Sequence, residues 1–354
     1  MPITARDSTI YTPGDYFRGL RADAALHNLY GRDDSGHYKT LAETLNFIAP
    51  ARTFILESPI GENANDGGYS LYIDRHDWGE LVNKAEHSLK ILPENFRVNS
   101  VWRRILNFAD QWYTGESLCK DLAEGLWFEF DVSGPPPGLP VPSVFFGVEN
   151  NSVDNSVTAI LKGLAAFNYD LPSVQRDLLV TCLRTMGPLC SSFQVGLMLS
   201  RPASPLRLCA FNGKLSEVLT GLKDLGITTL EDYPDFQQEF LHLAPRFLAV
   251  DLDIGTVFGP KVGIELKYTP VNTVREQREN PSGPALLELL VDKKWCLPNK
   301  SQAILNWPGG SKYHPDPDDF WSPRKIILRV ISHIKIDFQP GRPPRAKVYL
   351  TYGS

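Results

Sequence analysis

One unit recurs five times along this chain: a β-rich run, a turn built from Gly, Pro or Asn, a second β-rich run, then one or two helical stretches. The paired runs fall at 52–57 and 69–74, 126–132 and 141–148, 193–199 and 206–211, 247–253 and 262–268, and 325–338 and 346–352. The segments that split them (PIGENANDGG, SGPPPGLP, SRPASP, IGTVFGPK and QPGRPP) hold Gly and Pro, which no strand interior tolerates. Each pair therefore reads as an antiparallel hairpin. Hairpins spaced roughly 55 to 80 residues apart are too far apart for a short solenoid repeat.

Helical periodicity is expected at 77–91, 98–113, 154–167, 172–186, 214–225, 232–243 and near 284–294, with a proline-rich coil at 307–323. The 98–113 stretch carries Trp102, Ile105, Leu106, Ala109 and Trp112 at helical spacing, which predicts a core face. Residues 1–50 are expected to form an N-terminal segment, helical in part, and 51–354 the five hairpin-plus-helix repeats. Every Pro/Gly-rich stretch sits at a hairpin turn or just before a hairpin, so 1–354 reads as one domain.

Successive strand residues face opposite ways. One face is apolar throughout, as in Tyr69, Leu71 and Ile73, or Phe193, Val195 and Leu197, with Leu248, Val250 and Leu252 on the seventh strand. Helices must cover it. The other face mixes charge with aromatic rings. It carries eight acids (Glu57, Asp74, Glu129, Asp131, Asp251, Asp253, Glu265, Asp337) against four bases (Arg207, Lys267, Lys335, Lys347). Tyr72, Trp127, Phe145 and Tyr349 share that face, and a merely solvated sheet has little use for such rings. Closure would leave no edge strand and would enclose a polar chamber. The expected fold class is α/β: a ten-stranded antiparallel β-barrel of five hairpins surrounded by helices.

Other classes are excluded or disfavoured. A net charge of -5 without a basic block argues against nucleic acid and against an anionic membrane surface. The N-terminus lacks the apolar stretch of a signal peptide, and no apolar run is long enough to span a bilayer. Five scattered cysteines without a CxxC pair read as free thiols, and a cytoplasmic location is expected. No Walker loop, GxGxxG, GxSxG or HExxH motif is present. His76 and His333 read as surface or structural residues.

Five hairpins with helices outside and a polar, aromatic lumen resemble the ABBA-type aromatic prenyltransferases, the PT-barrel family, over about residues 50–354. The last hairpin, SHIKIDFQPGRPPRAKVYLTYG, looks like that family's closing hairpin. Lys347 and Tyr349 fit its Lys-x-Tyr spacing near the diphosphate. Arg207 in PLRLCAF matches a basic strand position, and Glu57 in RTFILES matches the acid of the indole-prenylating branch. The resemblance implies attack of an electron-rich aromatic carbon on an allylic cation in natural-product biosynthesis. Glu57 would be the base, Arg207, Lys267, Lys347 and Tyr349 would surround the diphosphate, and Tyr72, Trp127 and Phe145 would form the aromatic wall.

The second strands of the other hairpins lack the Lys-x-Tyr pair, reading Ser143-Val144-Phe145, Arg207-Leu208-Cys209 and Glu265-Leu266-Lys267. An acidic chamber repels a naked diphosphate. Two expectations follow: Mg2+ bridges it, held by Asp251 and Asp253 or by Glu129 and Asp131, or the ligand is no diphosphate. In the second case the chain is a non-catalytic barrel relative binding a peptide or a partner biosynthetic enzyme.

Overall fold

A computed structural model describes residues 53–62, 67–75, 78, 94–115, 119, 121–123, 125–131, 139–201, 205–234, 236, 238–239, 247–270, 272–313 and 325–353. The expected N-terminal segment, nearly all of the 77–91 helix, half of the 232–243 helix, residues 314–323 of the expected coil, Val132 and His76 lie outside these residues.

The first hairpins are β1 (Thr53–Pro59) with β2 (Gly68–Asp74), β3 (Gly125–Asp131) with β4 (Ser143–Glu149), and β5 (Ser192–Leu197) with β6 (Leu206–Phe211). They continue as β7 (Phe247–Ile254) with β8 (Phe258–Lys267), and β10 (Lys325–Gln339) with β11 (Arg342–Gly353), separated by a short β9 (Gly309–Tyr313). Each of β1 to β7 pairs with the next, β8 pairs with β10, β10 with β11, and β11 returns to β1. This closes a ten-stranded antiparallel barrel. Thr53 faces Gly353 and Pro59 faces Lys347 along the closing seam.

β9 corrects the expected coil at 307–323. β10 outruns β8, which pairs only with His333–Phe338. The bare edge at Lys325–Arg329 is taken up by Gly309–Tyr313, as an exposed edge demands.

The helices are α1 (Glu94–Val98), α2 (Ser100–Thr114), α3 (Val153–Ala166), α4 (Ser173–Met186), α5 (Leu215–Asp224), α6 (Val274–Glu279), α7 (Ser282–Asp292) and α8 (Pro298–Leu305). α6 and α8 were not expected; Thr273 caps the first, and Pro298 opens the second at the position where a missing N–H costs nothing. In α2, Asn99 accepts from the Val101 and Trp102 N–H groups, and Gly115 closes the helix at φ 66, a conformation open to glycine. Of the expected face, Trp102, Ile105, Ala109 and Trp112 are all at or below 1% exposure, while Leu106 is only partly buried and Phe108 joins the face. The Trp102 indole donates to the Pro140 carbonyl at 2.9 Å and that of Trp112 to Ala123 at 3.0 Å, so neither ring leaves a polar atom stranded.

The apolar strand face and the helices form one continuous core outside the barrel. Leu248 departs from the expected pattern. A register shift between Phe247 and Ala249 puts Phe247 in the outer core and turns Leu248 into the lumen. A second shift in β10, between Ile331 and His333, brings both Ser332 and His333 to the lumen. Gln277 of α6 serves this bulge: its amide donates to the Ile331 carbonyl at 2.6 Å and accepts from the Ile331 N–H at 2.7 Å. No helix among the described residues is long and apolar enough to cross a membrane.

Candidate functional site

Two cavities are formed along the lumen by the described residues. The upper, about 500 Å³, is lined by Trp127, Phe145, Phe211 and Leu248 together with Glu129, Arg207, Asp251, Glu265, His333, Lys335 and Tyr349. The lower, about 400 Å³, opens at the hairpin turns and is lined by Glu57, Asp131, Arg201, Lys294, Trp295, Arg345 and Lys347. Where they meet, Glu57 on β1 lies opposite Tyr349 on β11. Lys347 Nζ donates to Glu57 Oε1 at 2.6 Å, and Tyr349 Oη donates to Oε2 at 2.7 Å. Burial favours the neutral acid, but the charge and hydrogen bond of Lys347, with Tyr349 and Lys335, outweigh it and hold Glu57 at about 2. His333 stacks on Tyr349 with ring centroids 4.1 Å apart. Burial and the charge of Lys335 push His333 down to about 3, so its ring is neutral.

Across the barrel, Lys335 is hydrogen-bonded to Asp251 and lies 3.7 Å from Glu265. Gly263 makes this possible, since a Cβ there would sit 2.6 Å from Lys335 Cε. Arg207 Nε donates to Asp253 at 2.9 Å. Burial, then the charge of Asp251, raises Glu265 to about 8 against the pull of Lys335, so it is a neutral acid near pH 7.

The aromatic row runs across three strands in register, Tyr72 facing Trp127 and Trp127 facing Phe145. Tyr72 packs on Trp127 at 5.0 Å. Glycines on the adjoining strands let the outer rings lie against the wall: a Cβ on Gly125 would meet Tyr72 at 2.0 Å, and one on Gly196 would meet Phe145 at 2.3 Å.

Of the sequence-predicted residues, Glu57, Lys347 and Tyr349 come together, Arg207, Trp127 and Phe145 line the upper cavity, and Tyr72 backs Trp127. Lys267 shares the inward face of β8 but is not among the residues lining either cavity. His333, read as surface or structural, lines the chamber. Several cations were missed, Lys294 and Arg345 of the lower cavity among them. Arg201, just past β5, grips Asp131 through Nε at 3.0 Å and Nη2 at 2.5 Å. Lys261, at the start of β8, lies 3.8 Å from Asp337. Burial and the charges of Arg207 and Lys335 lower Lys261 to about 8, despite Asp337.

The expected magnesium ligands fit poorly. Asp251 is engaged by Lys335, Asp253 by Arg207 and Asp131 by Arg201, so a divalent ion would have to displace a protein cation from each pair. Among the described residues no group of three or more His, Cys, Asp or Glu side chains is placed to hold a metal ion.

No protein-family model matches the sequence, and no curated protein matches it. Solved structures match the fold over nearly the whole chain. AnaPT from Neosartorya fischeri superposes with a TM-score of 0.54 at 10% identity, covering 96% of this chain and 94% of that one. The 6-dimethylallyltryptophan synthase from Micromonospora olivasterospora, solved with DMASPP and Trp, gives 0.53 at 15%, covering 96% and 97%. The 5-dimethylallyltryptophan synthase from Streptomyces coelicolor gives 0.50 at 12%, covering 96% and 97%. The chain therefore has the PT-barrel fold of the ABBA-type prenyltransferases, and the resemblance read from its last hairpin holds at the level of fold.

Proposed function

We propose that this chain transfers an allylic group from an allylic diphosphate to a carbon of an aromatic acceptor, an indole in the first instance. The observation that carries this is a row of aromatic rings set beside the bonded trio Glu57, Lys347 and Tyr349 within one closed lumen. The donor's C–O bond breaks and the diphosphate departs with the electron pair. The aromatic carbon forms the new C–C bond and then loses its proton to a carboxylate. Ring faces stabilise the cation and keep water from it. Lys347, Tyr349 and Arg207 take up the charge of the leaving group, with Lys267 further along β8.

Donor binding and the base are coupled in this scheme. Glu57 owes its low pKa to Lys347, and at about 2 it is a weak base. When Lys347 turns to a diphosphate, Glu57 is left buried without its counter-ion, and its basicity rises.

Thermal-shift titration with dimethylallyl, geranyl and farnesyl diphosphate, with and without magnesium, followed by mass spectrometry of indole acceptors, tests the proposal. Saturable stabilisation and a product heavier by one prenyl group support it, and Lys347→Ala should abolish turnover. A folded protein that neither binds donor nor forms product refutes it. One observation favours a second reading, a non-catalytic barrel that binds a small molecule or a peptide. Arg201, Arg207, Lys261, Lys335 and Lys347 each lie within 4 Å of a carboxylate, so a diphosphate would have to compete for them.

A further inference from the structure

The charges of the upper cavity are unevenly matched. Arg207 is held by Asp253 and Lys335 by Asp251, while burial and Asp251 keep Glu265 neutral near pH 7. Glu129 is different. Among the described residues its carboxylate makes no hydrogen bond, and its nearest cation is Arg201 Nη2 at 3.9 Å, already bidentate on Asp131. Its ladder neighbours are the small Ser70 on β2 and Ser143 on β4, which leave the carboxylate open to the cavity it lines. Burial, then the charge of Glu57, raises its pKa against the pull of Arg207 and Arg201, neither of which is hydrogen-bonded to it. One step along the same face of β3 stands Trp127, flanked by Phe145. The two-residue rise of about 7 Å leaves room between these rings and the carboxylate for an aromatic ring with a short arm ending in an amine.

We infer that the upper cavity is built for a protonated arylalkylamine, its ring against Trp127 and Phe145 and its ammonium paired with Glu129. This rests on the reading that the lumen takes an aromatic acceptor, and it names the acceptor's class. A ligand carrying a carboxylate would meet the charge of Glu129 and, among the described lining residues, no cation without an acidic partner.

Calorimetric titration of the full chain, without any prenyl donor, tests this using tryptamine, L-tryptophan and indole-3-acetate as probes. Tryptamine should bind at least about tenfold more tightly than indole-3-acetate, with L-tryptophan between them. Glu129→Gln should weaken tryptamine by about tenfold and leave indole-3-acetate no weaker. Indole-3-acetate binding as well as tryptamine, no binding of tryptamine, or an undiminished preference for tryptamine in folded Glu129→Gln overturns the inference. If that variant does not fold, the order measured on the unaltered chain decides. Transfer is assayed separately with a prenyl diphosphate. Amine binding without product would sink the proposed function and leave this site standing, while prenylation of an acidic indole in preference to an amine would do the reverse.

Discussion

Replacing Lys335 with methionine removes the ammonium that Asp251, Glu265 and Asp337 share and leaves a side chain of similar bulk. The side chains of Lys335 and Asp251 are only 4% and 3% exposed, so water screens little of what is lost. Breaking a buried pair from one side costs about 3–5 kcal/mol. Arg207 also acts on Asp251, which places the expected loss near the lower end, about 3 kcal/mol. With an unfolding entropy of about 2 cal/mol/K per residue over 354 residues, that corresponds to a fall in Tm of about 4 °C.

The pH dependence is more diagnostic than the size. In the unaltered protein burial opposes the charge of Asp251, but Lys335 and Arg207 hold it below the usual carboxylate range. It therefore adds stability above its unfolded value, and that contribution is lost as pH falls through the folded one. Without Lys335, burial dominates and the sign reverses, so the variant gains as Asp251 takes up a proton. The gap between the two proteins should be wide at pH 8 and narrower at pH 5. Urea unfolding followed by tryptophan fluorescence measures both. A loss below about 1 kcal/mol, or an equal loss at the two pH values, would refute the account. Adding Asp251→Asn to Lys335→Met should restore part of the stability.

Glu57, held at about 2 in the folded chain against an ordinary 4.5, adds stability that is lost as pH falls from about 4.5 towards 2; Glu57→Gln should flatten acid unfolding in that window. Glu265 has the opposite sign, since its folded value of about 8 makes stability fall as pH rises from about 4.5. Glu265→Gln should therefore stabilise the protein at pH 7.5 by on the order of 1–3 kcal/mol in urea unfolding. Gly196→Ala pushes a methyl into Phe145 and should cost about 1–3 kcal/mol by thermal unfolding while weakening aromatic ligands in the upper cavity. Trp102→Ala, which empties a fully packed site and frees the Pro140 carbonyl, should cost about 3–5 kcal/mol in the same assay.

The hairpins were legible because alternation and turn chemistry are local. Each strand shows its two faces within a few residues, and Gly/Pro turns mark its ends. What escaped depends on distant partners. Gly309–Tyr313 reads GGSKY, without alternation, and becomes a strand only because β10 has an edge to offer. Leu248 was placed on the wrong face because a bulge inserts one residue and inverts the parity before it. Lys261 was lost because Pro260 made the strand appear to begin at Val262, and Arg201 because it comes from the turn after β5, outside any alternation. The trio of Glu57, Lys347 and Tyr349 was visible as residue types, but their mutual bonding depends on the β1–β11 register, which no local pattern encodes.

That seam also sets the order of assembly. Glu57 and Lys347 are 290 residues apart along the chain, and the strands that carry them meet only when the final hairpin docks against the first. Loop closure over such a separation comes late, after the local hairpins and helices have formed. Until then β1 is an open edge and the lumen is an incomplete trough. The interior chemistry is therefore the last thing folding makes, so a chain stalled before its closing hairpin could keep most of its secondary structure and have no site at all.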